Sequence, residues 1–179
     1  AKADLLAISF LELFLLAKDC ENILDIGSCD GRYIRWLRKL GYKGQYTGLD
    51  VTKTFLERAR KDNPEETFLL GDIREIKQIG DRAFGMVIVP NVLMHLEEIE
   101  TPILHLFRVA RKYLIFSVYN KWPGGPDNSD QGDFLNRYYS FEYVSGLRQK
   151  DWKLRRFTIV YSPWNENFPV SQYMFERVL

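Results

Sequence analysis

The sequence predicts an α/β fold, doubly wound around a mostly parallel sheet with helices on both faces. Three observations carry this expectation. Short apolar runs alternate with amphipathic helical segments along most of the chain, a pattern that builds parallel sheets through right-handed crossovers. Residues 84–89 (FGMVIV) are apolar throughout, as in a strand covered on both faces. The chain closes with two long strand-like segments, 153–161 and 170–178, joined by a Pro-containing loop; they read as an antiparallel pair.

Each element has its own signal. The apolar stretch 5–17 is shorter than the ~20 residues that span a bilayer. Glu12 sits in its middle and no small-residue cleavage site follows, so it reads as a buried helix rather than a signal segment. Residues 22–27 (NILDIG) form a short strand ending in Gly. Tyr33, Ile34, Leu37 and Leu40 then recur at helical spacing, with Arg32, Arg35, Arg38 and Lys39 on the other face and Gly41 as the stop. Residues 45–50 (QYTGLD) are the second strand. Thr52 is placed to cap a helix over 53–61, and Asn63-Pro64 ends it. The third strand is 67–70 and the fourth 84–89. Ile99, Ile103, Phe107 and Ala110 mark one side of the next helix, and 113–118 is the fifth strand. A polar loop rich in Gly, Pro, Asn and Asp covers 120–132, and Ser140 opens a helix over 140–149.

The chain's 179 residues suit one domain, 1–179, and its net charge of +1 demands no polyanionic partner. The basic segments 32–43 and 147–156 read as solvated faces rather than a nucleic-acid patch. Cys20 and Cys29 form neither a C-x-x-C pair nor a zinc spacing, which fits a reducing cytoplasm; the short apolar stretch 5–17 leads to the expectation of no membrane. His95 and His105 lie about 15 Å apart along a helix axis, too far for a shared metal, and no metal is expected.

In open α/β sheets, ligands sit outside the carboxyl ends of the strands. The residues there are Asp25-Ile26-Gly27-Ser28-Cys29-Asp30-Gly31 after the first strand, Asp50 after the second, Gly71-Asp72-Ile73 after the third, and Pro90-Asn91 through His95 after the fourth. Glycines between strand and helix let a ligand approach the backbone closely. A carboxylate at the second strand end can accept from two ribose hydroxyls, and one at the third from an exocyclic amine. Several acidic residues around one pocket suit a cationic ligand better than a pyrophosphate. The dinucleotide fingerprint G-x-G-x-x-G fails at two of three positions, since Cys29 and Arg32 follow Gly27. The plainer readings are turn glycines at 27 and 31, a helix cap at Asp50 and a solvated turn at Asp72.

Taken in order, ILDIGSCDGRY, YTGLD, GDIRE and MVIVPNVLMHL resemble the successive motifs of class I S-adenosylmethionine-dependent methyltransferases, and RYYSFEYVSGL is similar to a helix of their small-molecule branch. The resemblance runs from about residue 22 to the end. It implies a seven-stranded sheet whose last strand is antiparallel, with S-adenosyl-L-methionine as cofactor. It implies that Asp25, Gly27, Ser28 and Gly31 shape the methionine side of the pocket. Asp50 would bind ribose, Val51 would pack near the adenine, Asp72 and Ile73 would meet the adenine edge, and Asn91 would lie beside the methionine portion. Residues 1–20 would supply a covering helix. Cys29 stands where the family has a central glycine, and a small side chain fits there if φ stays negative.

The segment 120–139 is the expected substrate loop, because it follows the fifth strand at the ligand-binding edge. Tyr119, Trp122, Asp127, Asp130 and Tyr138 are its candidate substrate residues, and His95 is the candidate general base. The Asn/Asp-Pro-Pro-aromatic signature of amino-methylating nucleic-acid enzymes is absent after the fourth strand, where Pro90-Asn91-Val92-Leu93 stands instead. That favours a small-molecule or carbohydrate-like acceptor. The competing readings are a methyltransferase-like module that binds without catalysis and, behind it, an RNA or protein methyltransferase.

Overall fold

The computed structural model describes residues 14–15, 18–121, 128–131, 134–162 and 165–178. Of the helix expected over 5–17, only Phe14 and Leu15 fall among them. Both are helical, and Phe14 is buried edge-on against Tyr42, ring centroids 5.6 Å apart. Trp122 and Asp127 lie outside the described residues.

The sheet is built from β1 (Asn22–Ile26), β2 (Gln45–Asp50), β3 (Thr67–Leu70), β4 (Phe84–Val89), β5 (Ala110–Asn120), β9 (Trp152–Ser162) and β10 (Asn165–Arg177). Their spatial order is β3-β2-β1-β4-β5-β10-β9. The first five are mutually parallel, and β10 runs antiparallel to both its neighbours. An eighth short strand, β8 (Tyr138–Tyr139), adds to β5 in parallel. Strand order reverses between β1 and β4, which opens a crevice above their carboxyl ends.

Helices α1 (Arg32–Lys39) and α2 (Lys53–Asp62) cover one face, and α3 (Glu100–Val109) and the short α4 (Phe141–Gly146) the other. The α1 helix buries Tyr33, Ile34 and Leu37 and leaves its cations outside. It ends in a Schellman motif. Tyr42 N donates to Leu37 O and Gly41 N to Arg38 O, with Gly41 at φ +90°. Arg38 fastens this corner, gripping both oxygens of Glu66 and the carbonyls of Tyr42 and Gly44 at 2.7–2.9 Å. The apolar run of β4 is buried from Gly85 to Val89 and feeds both cores, Val87 and Val89 on one face and Met86 and Ile88 on the other. No helix among the described residues is long and apolar enough to cross a membrane.

Three sequence expectations are corrected. Thr52 stands at the N-cap of α2, but its hydroxyl makes no capping bond; its own N–H goes instead to Asp50 Oδ1 at 2.8 Å. The stretch expected as one loop carries a small antiparallel hairpin, β6 (Ser129–Gln131) and β7 (Phe134–Asn136). The α4 helix starts at Ser140 as expected, whose hydroxyl accepts from Tyr143 N, but it stops at Gly146 through i→i+3 turn bonds.

Candidate active site

A cavity of about 500 Å³ opens at the carboxyl ends of β1 to β4, a size that suits a small ligand or cofactor. Its base is the β1–α1 turn. Gly27 N and Ser28 N both donate to Leu49 O, at 2.8 and 3.2 Å, and Gly31 N closes the turn on Ser28 O. Gly27 sits at φ +77°, and a Cβ there would come within 2.2 Å of Val92 Cγ2. Both conformation and space therefore require glycine.

Cys29 is accommodated without the negative φ that would admit a small side chain freely. It lies at φ +48°, a left-handed conformation that costs a residue with a Cβ roughly 1–2 kcal/mol. The compensation is visible: Cys29 N donates to Asp50 Oδ2 at 2.9 Å. Burial pushes the Cys29 thiol up to about 11, with the Asp50 charge adding to the rise. The thiol is therefore a poor nucleophile at neutral pH.

Asp50 ties the site together. Only 7% exposed, its carboxylate accepts Cys29 N on one oxygen and Thr52 N on the other. Each oxygen keeps a further lone pair for a ligand in the cavity it lines. Val51 and Ile73 line the same cavity, together with Phe55, which is 47% exposed. Asp72 also lines it, but Arg74 holds that carboxylate through its backbone N–H and a forked guanidinium. This hydrogen bonding keeps the Asp72 carboxyl below its usual range. Asp72 thus caps the 3-10 turn Ile73–Gln78 while facing the pocket.

Asn91 follows β4 at φ +56°, another left-handed position. Ser117 of β5 holds it there, accepting from Asn91 N at 2.8 Å and donating to Asn91 Oδ1 at 3.1 Å. Asn91 and His95 both face the cavity. The His95 Nδ1 lies 2.8 Å from Leu135 O on the β6–β7 hairpin. A carbonyl only accepts, so the proton sits on Nδ1 and, in the neutral ring, the lone pair on Nε2.

Asp25 and Gly31 do not line the cavity. Asp25 is fully buried beneath it, with the Tyr46 hydroxyl donating to Oδ2 at 2.5 Å. Tyr138, 6% exposed, stacks on Tyr119 at 5.3 Å, and Tyr119 meets His95 edge-on at 6.0 Å. The two tyrosines back His95 rather than line the cavity. The backbone of Asp130 lies in β6, paired with Leu135. Sequence reasoning missed Arg32, Phe55, Arg74 and Leu96 among the lining residues, as well as Tyr46 and Ser117 behind them. Among the described residues, no group of three His, Cys, Asp or Glu is placed to hold a metal.

The chemistry fits a nucleoside ligand carrying positive charge. Asp25 Oδ1 and Ser28 Oγ are buried without a hydrogen-bond partner among the described residues, an arrangement that normally asks for a ligand or ordered water. Asp50 offers acceptors for ribose hydroxyls at the cavity wall, and Val51, Phe55 and Ile73 offer apolar surface.

Comparison with known proteins points the same way. The sequence profile of a methyltransferase domain matches residues 24–116. No curated protein sequence matches the chain significantly. Solved structures of similar fold include a magnesium protoporphyrin IX methyltransferase from Synechocystis with bound SAH, at TM-score 0.75 and 17% identity, covering 97% of this chain and 82% of that one. The Burkholderia thailandensis 1,6-didemethyltoxoflavin-N1-methyltransferase, with its substrate and S-adenosylhomocysteine bound, gives 0.77 and 15%, covering 97% and 78%. The cyclase SpnF gives 0.81 and 15%, covering 99% and 82%. At these identities the likeness speaks for the fold, and a fold hosts more than one chemistry.

Proposed function

The chain belongs to the methyltransferase-domain family, as an S-adenosylmethionine-dependent enzyme, and on that premise we propose that residues 1–179 form one domain that methylates a small-molecule acceptor at the cavity above β1, β2 and β4. The observation that carries this reading is the Asp50 carboxylate, buried and braced by two backbone N–H groups, beside a glycine turn that no side chain could replace.

In this reading Asp50 accepts the ribose hydroxyls, and Val51, Phe55 and Ile73 enclose the adenine with Asp72 at its edge. Gly27 and Ser28 let the backbone approach the methionine portion, with Gly31 shaping the turn. Asn91, locked by Ser117, fixes the far side. Asp25 supplies negative charge from below. When bound, the cofactor supplies an electrophilic methyl on a positively charged sulfur, so the leaving group needs no further activation. The protein's main task is then alignment of the acceptor, which intramolecular reactions show to be worth up to about 7–11 kcal/mol. His95 takes the proton of a hydroxyl or amine acceptor on Nε2, with Leu135 O holding the tautomer.

Three features support a small acceptor. Two of the neighbouring structures are named for small-molecule methylation. The amino-methylating nucleic-acid signature is missing after β4. The hairpin docks on the turn after β4 that carries His95, with Arg137 N donating to Met94 O. In this reading 120–139 is the substrate segment: Trp122, Asp127 and Asp130 are its candidate substrate contacts, and Tyr119 and Tyr138 act on the substrate through His95, which they back. Two free thiols, Cys20 and Cys29, suit a cytoplasmic setting.

Incubation with methyl-labelled cofactor, a panel of small aromatic, carboxylic and sugar acceptors, total RNA and total protein tests this. Label is expected in the small-molecule fraction, and His95→Ala should reduce it about 100-fold or more with cofactor affinity unchanged. Label confined to RNA or protein would overturn the acceptor class.

A further inference from the structure

Asp25 is the one carboxylate at the site that is fully buried, at 0% exposure against 7% for Asp50. It lies in mid-β1, in register with Gly48 of β2 and Ile88 of β4, neighbours without charge. The titratable groups around it are Tyr46 on β2, whose hydroxyl it accepts, Asp50 at the end of the same strand, and Cys29 in the turn above. The α1 helix brings Tyr33, Ile34 and Leu37 to this face, and α2 brings Leu56 and Ala59. None of these groups is cationic. One oxygen, Oδ1, has no hydrogen-bond partner among the described residues. The three residues that follow Asp25, namely Ile26, Gly27 and Ser28, line the cavity.

We propose that Asp25 and Tyr46 form a buried proton-releasing pair beneath the cofactor cavity: binding of the cationic cofactor converts the Asp25 carboxylic acid to a carboxylate, Tyr46 holds that charge by hydrogen bond, and one proton leaves to solvent. The inference rests on the cofactor placement proposed above. Its physical basis is a competition. Burial favours the neutral acid. A positive charge placed in the adjoining cavity favours the anion, and a low-dielectric surrounding strengthens that attraction relative to water. No bond other than the acid O–H breaks, and the buffer takes the proton.

Burial pushes Asp25 up to about 7, opposed by the Tyr46 hydrogen bond and assisted by the Asp50 charge. The ligand-free site therefore holds the acid below that pH, and the bound site has a lower value. Between the two, binding releases a proton, and affinity rises with pH until the free group is itself ionised. Tyr46 is a positioning residue here. Removing its donor destabilises the carboxylate and moves the release to higher pH.

Calorimetric titration with S-adenosylmethionine in buffers of different ionisation enthalpy counts the protons. At about pH 6 the wild type should release close to one proton more than Asp25→Asn, with the gap closing by about pH 8; the ammonium of the cofactor itself is common to both and cancels. Wild-type affinity should weaken roughly fivefold or more from about pH 7.5 to about pH 6, and that of Asp25→Asn should stay flatter. Tyr46→Phe should still release at about pH 8, where the wild type has stopped. Equal proton counts for wild type and Asp25→Asn overturn the proposal. If Asp25→Asn does not fold, a Tyr46→Phe release curve that superimposes on the wild type overturns it. Binding without a proton difference sinks the pair alone, whereas no binding at any pH sinks the proposed function and the pair with it.

Discussion

At the end of β2, the Asp50 carboxylate bridges the backbone of Cys29 and that of Thr52. Asp50→Ala should therefore do two separable things. Cofactor affinity should fall about 10–100-fold with the loss of charged hydrogen bonds, read by calorimetry. Stability should fall by about 2 kcal/mol because two part-buried N–H groups lose their acceptor, read by urea titration. Unchanged affinity in a folded variant would remove Asp50 from the site. Cys29, held at φ +48° by the same carboxylate, gives the converse test. Cys29→Gly should raise stability by about 1 kcal/mol, because glycine takes the left-handed conformation freely, and a lower denaturation midpoint would contradict that reading. At this scale the strand-end carboxylates and the turn glycines were legible from spacing alone. The Tyr46–Asp25 and Ser117–Asn91 bonds were not, since they depend on which strands become neighbours in the sheet.

The elements depend on a few polar fasteners as much as on apolar burial. Arg177 at the end of β10 donates to the carbonyls of Phe107 and Ala110, pairs with Asp151, and lies 4.5 Å over the Trp152 ring. It joins the α3–β5 junction to the last two strands. Arg177→Met should cost about 2–3 kcal/mol, chiefly through the two carbonyls left unpaired, with m unchanged in denaturant titration. A loss below about 0.5 kcal/mol would mean that water replaces the guanidinium. Every strand from β1 to β5, and the closing pair, could be read from apolar runs and glycine punctuation. The β6–β7 hairpin could not. Ser129-Asp130-Gln131 has no β-branched or aromatic residue, and its pairing follows from docking on the turn after β4, where Leu135 O meets His95 Nδ1 and Arg137 N meets Met94 O.

For the whole molecule, the shifted carboxyls set the shape of the pH–stability curve. Asp25 is raised in the folded state, so its favourable contribution is complete below about pH 4 and is lost as pH rises to about 7. Burial works to raise Asp30, but the Arg32 and Arg35 guanidiniums outweigh it and hold the carboxyl low, as Arg74 does for Asp72. Their contributions are present above the ordinary aspartate range and are lost below about pH 4. The melting temperature of the ligand-free protein should therefore peak near pH 4–5 as far as these three groups decide it. Asp25→Asn should flatten the alkaline side of that peak, and saturating cofactor should restore stability at about pH 7–8. A melting profile that Asp25→Asn leaves unaltered would show that this carboxyl titrates as it does in the unfolded chain. The α/β class and the place of the site were readable from strand and helix alternation, because ligand position in such sheets follows from topology. The floor of the site was not, since burial of a mid-strand aspartate is a property of the assembled layers. The most direct test of the whole account is calorimetric titration of the protein with S-adenosylmethionine, S-adenosylhomocysteine and NAD. Micromolar binding of the two sulfur compounds, absent for NAD and weakened by Asp50→Ala, is the predicted result. Binding of neither sulfur compound, or equal binding of NAD, would contradict it.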